Sequence, residues 1–130
     1  MEVLIVEDDL IVSRLHKFSL KGVLGKDIGI LENGREALDH LDEVAEEKQK
    51  ILILLDLNMP VLDGWDFLEL SHSRSYAERL VIVVVTSSLY TEDRKRALKF
   101  PRVKGYYSKP LKREDVLQIL PHPEVGPVIS

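Results

Sequence analysis

The 130-residue sequence predicts a single α/β domain, an open, doubly wound five-stranded parallel sheet with helices on both faces. Three observations carry this expectation. Two short segments, 51–55 (ILILL) and 80–85 (LVIVVV), are wholly apolar and stop abruptly at a polar residue, the pattern of strands buried on both faces. Segments of helical period, with charges opposite the apolar positions, separate such runs. The strand–helix alternation repeats five times, too few units to close an eight-fold barrel. Right-handed crossovers then leave an open sheet whose ligand crevice lies outside the C-terminal strand ends.

Taken in order, Val3-Leu4-Ile5-Val6 is the first strand, and the helix after it is expected to use Ile11, Leu15 and Phe18 as its apolar face. Asp27 to Leu31 is a weaker second strand, followed by a helix with Ala37, Leu38, Leu41, Val44 and Ala45 on one side. The run ending at Leu55 is the third strand, and Asp63, before Gly64-Trp65, is the N-cap expected for the third helix. The run ending at Val85 is the fourth strand, with Thr91 as the expected cap of the fourth helix. Gly105-Tyr106-Tyr107-Ser108 is a weaker fifth strand, and Lys112 to Leu120 a short fifth helix that Pro121 cannot continue. The domain is therefore expected over 1–120, and 121–130, with Pro and Gly but no period, as a tail.

An apolar fraction of 45% suffices for a continuous core without cross-links. The absence of cysteine excludes a disulfide scaffold, thiol catalysis and thiolate metal sites, and is compatible with the cytoplasm, the expected location. The N-terminal residues lack a basic region and meet carboxylates at Glu7, so they do not read as a signal peptide, and no apolar run is long enough for membrane insertion. A formal net charge of −4 argues against direct nucleic-acid binding. Positive charge nevertheless gathers between Thr91 and Arg113, at Arg94, Lys95, Arg96, Lys99, Arg102, Lys104, Lys109, Lys112 and Arg113. A solvated surface accounts for most such runs; a docking face for an acidic partner is the sharper reading.

Chemistry is expected at the strand ends, where Glu7, Asp8 and Asp9 follow the first strand, Asp56 the third, Thr86-Ser87-Ser88 the fourth and Lys109-Pro110 the fifth. Singly, each has an ordinary explanation as a helix cap or a turn closer. Together they crowd carboxylates into one crevice, where they repel unless a cation joins them. Mg²⁺, or Mn²⁺ in its place, suits an oxygen-ligated site that leaves room for phosphoryl oxygens. Lys109 and the Thr86 hydroxyl would supply a point charge and a donor to those oxygens. Asp56, at the tip of the most apolar strand, is the candidate nucleophile for an acyl phosphate.

Four segments together resemble the receiver domains of two-component response regulators: VEDD at 6–9, LLDLNMPVLDG at 54–64, VVTSS at 84–88 and KGYYSKP at 104–110. The resemblance covers 1 to about 120 and implies the flavodoxin-like (βα)₅ fold. It implies Asp56 as phosphoacceptor, and as metal ligands Asp8, Asp56 and the backbone carbonyl of Asn58, with Glu7 acting through water. It makes Thr86 the switch hydroxyl, Tyr106 the aromatic that follows it, Lys109 the phosphoryl contact, and the Lys109-Pro110 bond cis. Ser87 is small enough to leave access, Asn58 and Ser88 hold positions that tune phosphoryl lifetime, Asp9 is a bystander, and Tyr107 is read as packing.

The resemblance further implies a stand-alone response regulator, not an enzyme beyond slow self-dephosphorylation. Its phosphodonor is a histidine kinase or histidine phosphotransfer protein, and an unknown output partner meets the α4–β5–α5 face. The rival from another class is a Mg²⁺-dependent phosphohydrolase with an aspartyl nucleophile, of the haloacid dehalogenase type. That chemistry needs an acid two residues on, where this chain has Asn58, and there is no room for a cap domain. A receiver-like binding module that is never phosphorylated is the second rival. Nucleotide and flavin readings fail, since no G-x-G-x-x-G or P-loop follows the first strand. His16, His40, His72 and His122 show no ligand spacing and no companion base, so none is expected to function.

Overall fold

Strand-forming apolar runs and amphipathic helices alternate along the chain as expected. The computed structural model describes residues 1–88 and 90–119. The expected tail, 121–130, and Leu120 lie outside them. The elements are β1 (Glu2–Val6), α1 (Leu10–Leu24), β2 (Gly29–Leu31), α2 (Gly34–Glu43), β3 (Ile51–Leu55), α3 (Gly64–His72), a 3₁₀ turn (Ala77–Arg79), β4 (Leu80–Thr86), α4 (Thr91–Leu98), β5 (Val103–Ser108) and α5 (Arg113–Ile119). All five strands are parallel, in the order β2-β1-β3-β4-β5. The order reverses between β1 and β3, which sets the crevice at their C-terminal ends.

The unbroken apolar strands make sense because each strand feeds two cores. Leu4, Val6, Ile51, Ile53, Leu55, Leu80, Ile82 and Val84 point to one face, where Ala37, Leu38 and Leu41 of α2, Phe67 and Leu68 of α3 and Ala97 of α4 cover them. Val3, Ile5, Leu52, Leu54, Val81, Val83 and Val85 point to the other, under Leu20 of α1 and Val116 and Ile119 of α5. Alternate residues serve opposite layers, so β3 is apolar throughout and β4 is apolar up to its last residue, Thr86.

Several boundaries differ from expectation. β2 begins at Gly29 rather than Asp27, and β5 at Val103 rather than Gly105, where the β4–β5 register shifts between Ile82 and Val83. Thr91 is not a cap but the first residue of α4; Tyr90 holds the N-cap position in an extended conformation without a side-chain bond. Asp63 does cap α3, accepting the Asp66 N–H at 2.9 Å. The largest correction concerns α1. Ile11, Leu15 and Phe18 face solvent at 74%, 54% and 81% exposure, while Ser13, His16 and Leu20 are buried. Both sets recur at helical spacing; the buried one carries His16, which accepts the Leu111 N–H from the loop before α5, and packs Leu20, with Val23 and Leu24 beside it, on the core.

Candidate functional site

β1 and β3 run side by side with Val6 opposite Leu55, so the residues that follow them, Glu7 and Asp56, must emerge together. Asp56 N–H donates to the Val6 carbonyl at 3.0 Å, which extends the ladder by one step and holds the two carboxylates at the rim. Glu7 and Asp56 are buried and Asp8 is exposed. Carboxylate oxygens of all three lie within 4.8 Å of one another. From the loop after β5, the Lys109 ammonium reaches Glu7 Oε1 at 2.5 Å and Asp56 Oδ1 at 3.2 Å. Asp9 turns away to cap α1 through the Ile11 and Val12 amides. Its own N–H donates to Glu7 Oε2 at 3.2 Å.

The electrostatics follow from that crowding. Burial pushes Glu7 up to about 7, and the Asp56 charge adds to it; the bonds from Lys109 and the Asp9 amide oppose the rise without cancelling it. For Lys109 burial acts downward, but the Glu7 and Asp56 carboxylates outweigh it and hold the ammonium above its ordinary value. One ammonium therefore does not offset the buried acidic charge. An all-oxygen cluster with one member open to solvent fits a hard divalent cation, with Glu7, Asp8 and Asp56 as the groups able to hold it.

The loop after β3 is shaped to keep Asp56 in place. Asn58 is exposed, and its N–H lies 3.4 Å from Asp56 Oδ1. Val61 turns the loop at φ 75°, a region that costs a residue with a Cβ about 1–2 kcal/mol. Gly64 then brings the start of α3 against the back of the loop: a Cβ there would overlap the Asp56 carbonyl and lie 2.7 Å from Leu57 Cα. Its N–H donates to the Leu57 carbonyl at 3.0 Å.

On the other side, β4 ends at Thr86, which is fully buried. Its Oγ1 accepts the Ser88 N–H at 3.2 Å, and its carbonyl accepts the Lys109 N–H at 2.9 Å. The Lys109-Pro110 peptide is cis. Tyr106 sits further along the same pair of strands, opposite Val84, with the Arg94 guanidinium 5.9 Å from its ring centroid. Burial pushes its phenol up. Its buried hydroxyl has no hydrogen-bond partner among the described residues, although Ser88 is close enough to ease its ionisation slightly; the Ser88 hydroxyl donates to Asp93 at 2.6 Å.

The sequence profile of the response regulator receiver domain matches residues 3–121. The chain belongs to this family. The receiver is 30% identical to the chemotaxis protein CheY1 of Helicobacter pylori over 110 residues, 85% of this chain and 86% of that protein. It is 33% identical over 102 residues to the nitrate/nitrite response regulator protein NarL of Escherichia coli, and the match spans 78% of this chain but only 44% of NarL. Among solved structures, a two-component response regulator from Cytophaga hutchinsonii superposes with a TM-score of 0.83 at 26% identity, covering 92% of this chain and 93% of that one. The Mn(2+)-bound form of the response regulator Rcp1 superposes at 0.72 with 30% identity, covering 91% and 87%. Among the described residues, no helix of the receiver is long and apolar enough to cross a membrane.

The receiver's rim brings Glu7, Asp8, Asp56 and Lys109 together, ties Thr86 to Lys109 through the backbone, and leaves Tyr106 one step back along β5. The basic stretch divides. Lys109 enters the crevice, Arg102 donates to the Glu78 carbonyl, Arg96 stacks on Trp65 at 4.1 Å, and Arg94 and Lys95 on α4 and Lys99 at its C-cap stay exposed. Two features escaped the sequence: the apolar stripe exposed on α1, and the bond from buried His16 to Leu111. The only sequence signal for the second was a histidine at the phase of Leu20 in a helix.

Proposed function

We propose that the rim is the phosphoacceptor site of a cytoplasmic two-component phosphorelay, with Asp56 as the acceptor and residues 1–120 as the receiver unit. The observation that carries this is the Lys109 ammonium bridging Glu7 and Asp56 beside a third carboxylate. An Asp56 carboxylate oxygen attacks the phosphorus of a phosphohistidine on a kinase or phosphotransfer protein, or of a small phosphodonor. The new P–O bond forms as the P–N bond, or the donor's P–O bond, breaks and the leaving group departs with its electron pair. Lys109 stays charged throughout, held so by its two carboxylates, and meets the added phosphoryl oxygens. Bound Mg²⁺, held by Asp8, Asp56 and the Asn58 carbonyl with Glu7 through water, would offset the charge that attacker and phosphoryl group bring together; the cation in the Rcp1 structure supports this reading.

Thr86 then turns its hydroxyl to the phosphoryl group and gives up the Ser88 N–H, and Tyr106, whose hydroxyl has no hydrogen-bond partner among the described residues, follows. Phosphorylation thus favours one of two conformations of the α4–β5–α5 surface, where an output partner binds. The exposed Ile11, Leu15 and Phe18 on α1, the helix that follows Glu7 and Asp8, supply an apolar patch for the phosphodonor protein to dock on. Receivers are phosphoacceptors rather than enzymes, and self-dephosphorylation here is slow hydrolysis of the acyl phosphate.

Incubation with Mg²⁺ and acetyl phosphate or phosphoramidate, followed by intact mass measurement beside Asp56→Asn, tests the assignment. One phosphoryl gain, labile to hydroxylamine and absent from the variant, is the expected result. No gain by a folded, Mg²⁺-binding protein would sink it in favour of an unphosphorylated binding module. Steady phosphate release from general monoesters would point instead to a phosphohydrolase.

A further inference from the structure

We propose that His16 is a positioning residue for phosphoryl transfer: from α1 it anchors the Leu111 amide and thereby fixes the loop that aims Lys109 at Asp56. The inference rests on the phosphoacceptor reading and adds to it a residue from a helix that carries none of the reacting groups.

The loop from Lys109 to Leu111 is short of ways to hold itself. Pro110 has no N–H, so the three residues from Lys109 to Leu111 carry only two backbone donors. One, the Lys109 N–H, donates to the Thr86 carbonyl at 2.9 Å. The other, the Leu111 N–H, donates to His16 Nε2 at 3.0 Å, across 95 residues of sequence. The next amide, Lys112, already belongs to the capping of α5, donating to Asp115 Oδ2 at 3.0 Å. The loop is thus pinned to β4 on one side of Pro110 and to α1 on the other, and Lys109 extends its ammonium to Glu7 and Asp56 from between those pins.

His16 is built for the role. It is 2% exposed, on the buried face of α1 with Ser13 and Leu20. Leu111 is itself buried in the layer beneath α1 and α5. Accepting at Nε2 requires that nitrogen to be bare, hence the neutral ring with its proton on Nδ1. Burial and the nearby Lys109 charge both press the ring towards that form, down to about 4, so the acceptor is present at neutral pH. A ring that merely filled space would leave the Leu111 amide buried without a partner.

The test uses the full chain and three proteins: wild type, His16→Met, which keeps the volume and removes the acceptor, and His16→Gln, which returns an acceptor at similar reach. With Mg²⁺ and phosphoramidate, His16→Met is expected to slow the initial phosphorylation rate roughly ten- to a hundredfold, the scale of a misplacement of about 1 Å. His16→Gln is expected to recover most of it. In the resting protein, Leu111 amide-exchange protection and the Lys109 ¹⁵Nζ shift should change in His16→Met and return in His16→Gln. Wild-type rate and an unchanged Leu111 amide in His16→Met would overturn the proposal, as would equal loss in both variants with Leu111 undisturbed. Should His16→Met fail to fold, ¹⁵N correlation spectra of the wild-type ring decide: a proton on Nε2 overturns the anchor, a bare Nε2 coupled to the Leu111 N–H supports it. A wild type that takes no phosphoryl group defeats the phosphoacceptor reading and the role in transfer, while the Leu111 and Lys109 signals separately decide the anchor.

Discussion

Helices α1 and α2 cover opposite faces of the sheet and treat their apolar residues in opposite ways. In α2, Ala37, Leu38 and Leu41 lie inward at 0%, 2% and 0% exposure, as their spacing suggests. In α1 the most apolar stripe, Ile11, Leu15 and Phe18, faces water, while a serine and a histidine sit inside with Leu20. The difference teaches that periodicity identifies a face but not its direction. In α2 the longer-range bonds, His40 with Glu2 at 2.9 Å and Arg74 with Asp42 at 3.2 Å, agree with hydrophobic burial on the helix's rotation. In α1 the cap at Asp9 and the His16–Leu111 bond make competing claims, and the stripe left outside is what a partner surface looks like.

That contrast can be broken most forcefully at Leu41. Leu41→Ala should cost about 2–5 kcal/mol, because a fully buried side chain leaves a cavity, and denaturant unfolding would show it as a lower midpoint. A small loss would mean that α2 is as loosely seated as the α1 stripe implies for an exposed face.

His16 offers the next effect. Its folded value, about 4, lies below the ordinary 6.5, so between those pH values the unfolded chain binds more protons than the folded one. Stability from this group is therefore full above about 6.5 and is lost as pH falls towards 4, by at most about 3 kcal/mol. The pH dependence of unfolding free energy should be flatter over that window in His16→Gln than in wild type; parallel curves would show that the ring titrates normally.

The caps should behave alike in the two helices. Asp9 accepts two amides of α1 and Asn33 accepts the Glu36 N–H of α2, so Asp9→Ala and Asn33→Ala should each cost about 1 kcal/mol in thermal unfolding. A much larger loss at Asp9 would mean that its amide bond to Glu7 also supports the rim.

The smallest effect on stability belongs to the stripe itself. Phe18→Ser should change the unfolding free energy by no more than about 0.5 kcal/mol. Transfer from a phosphohistidine-bearing protein should fall by roughly tenfold, the equivalent of one lost anchor contact. Unchanged transfer from the protein donor would remove α1 from the docking surface.

By itself the sequence determined the five βα units, the depth of the strands and the set of rim residues. Apolar runs that end at Asp56 and Thr86 report burial directly, and parallel strands bring their C-terminal ends to one side, so Glu7, Asp8, Asp56, Thr86 and Lys109 had to share a rim. Only the tertiary structure decided which side of α1 faces the core, that Tyr90 rather than Thr91 precedes α4 as its cap position, and that His16 holds the Leu111 amide. The reason is physical. Strand burial and strand-end position follow from local pattern, whereas α1 offers two faces at helical spacing, and the contact across 95 residues that belongs to its buried face leaves no periodic trace in the chain.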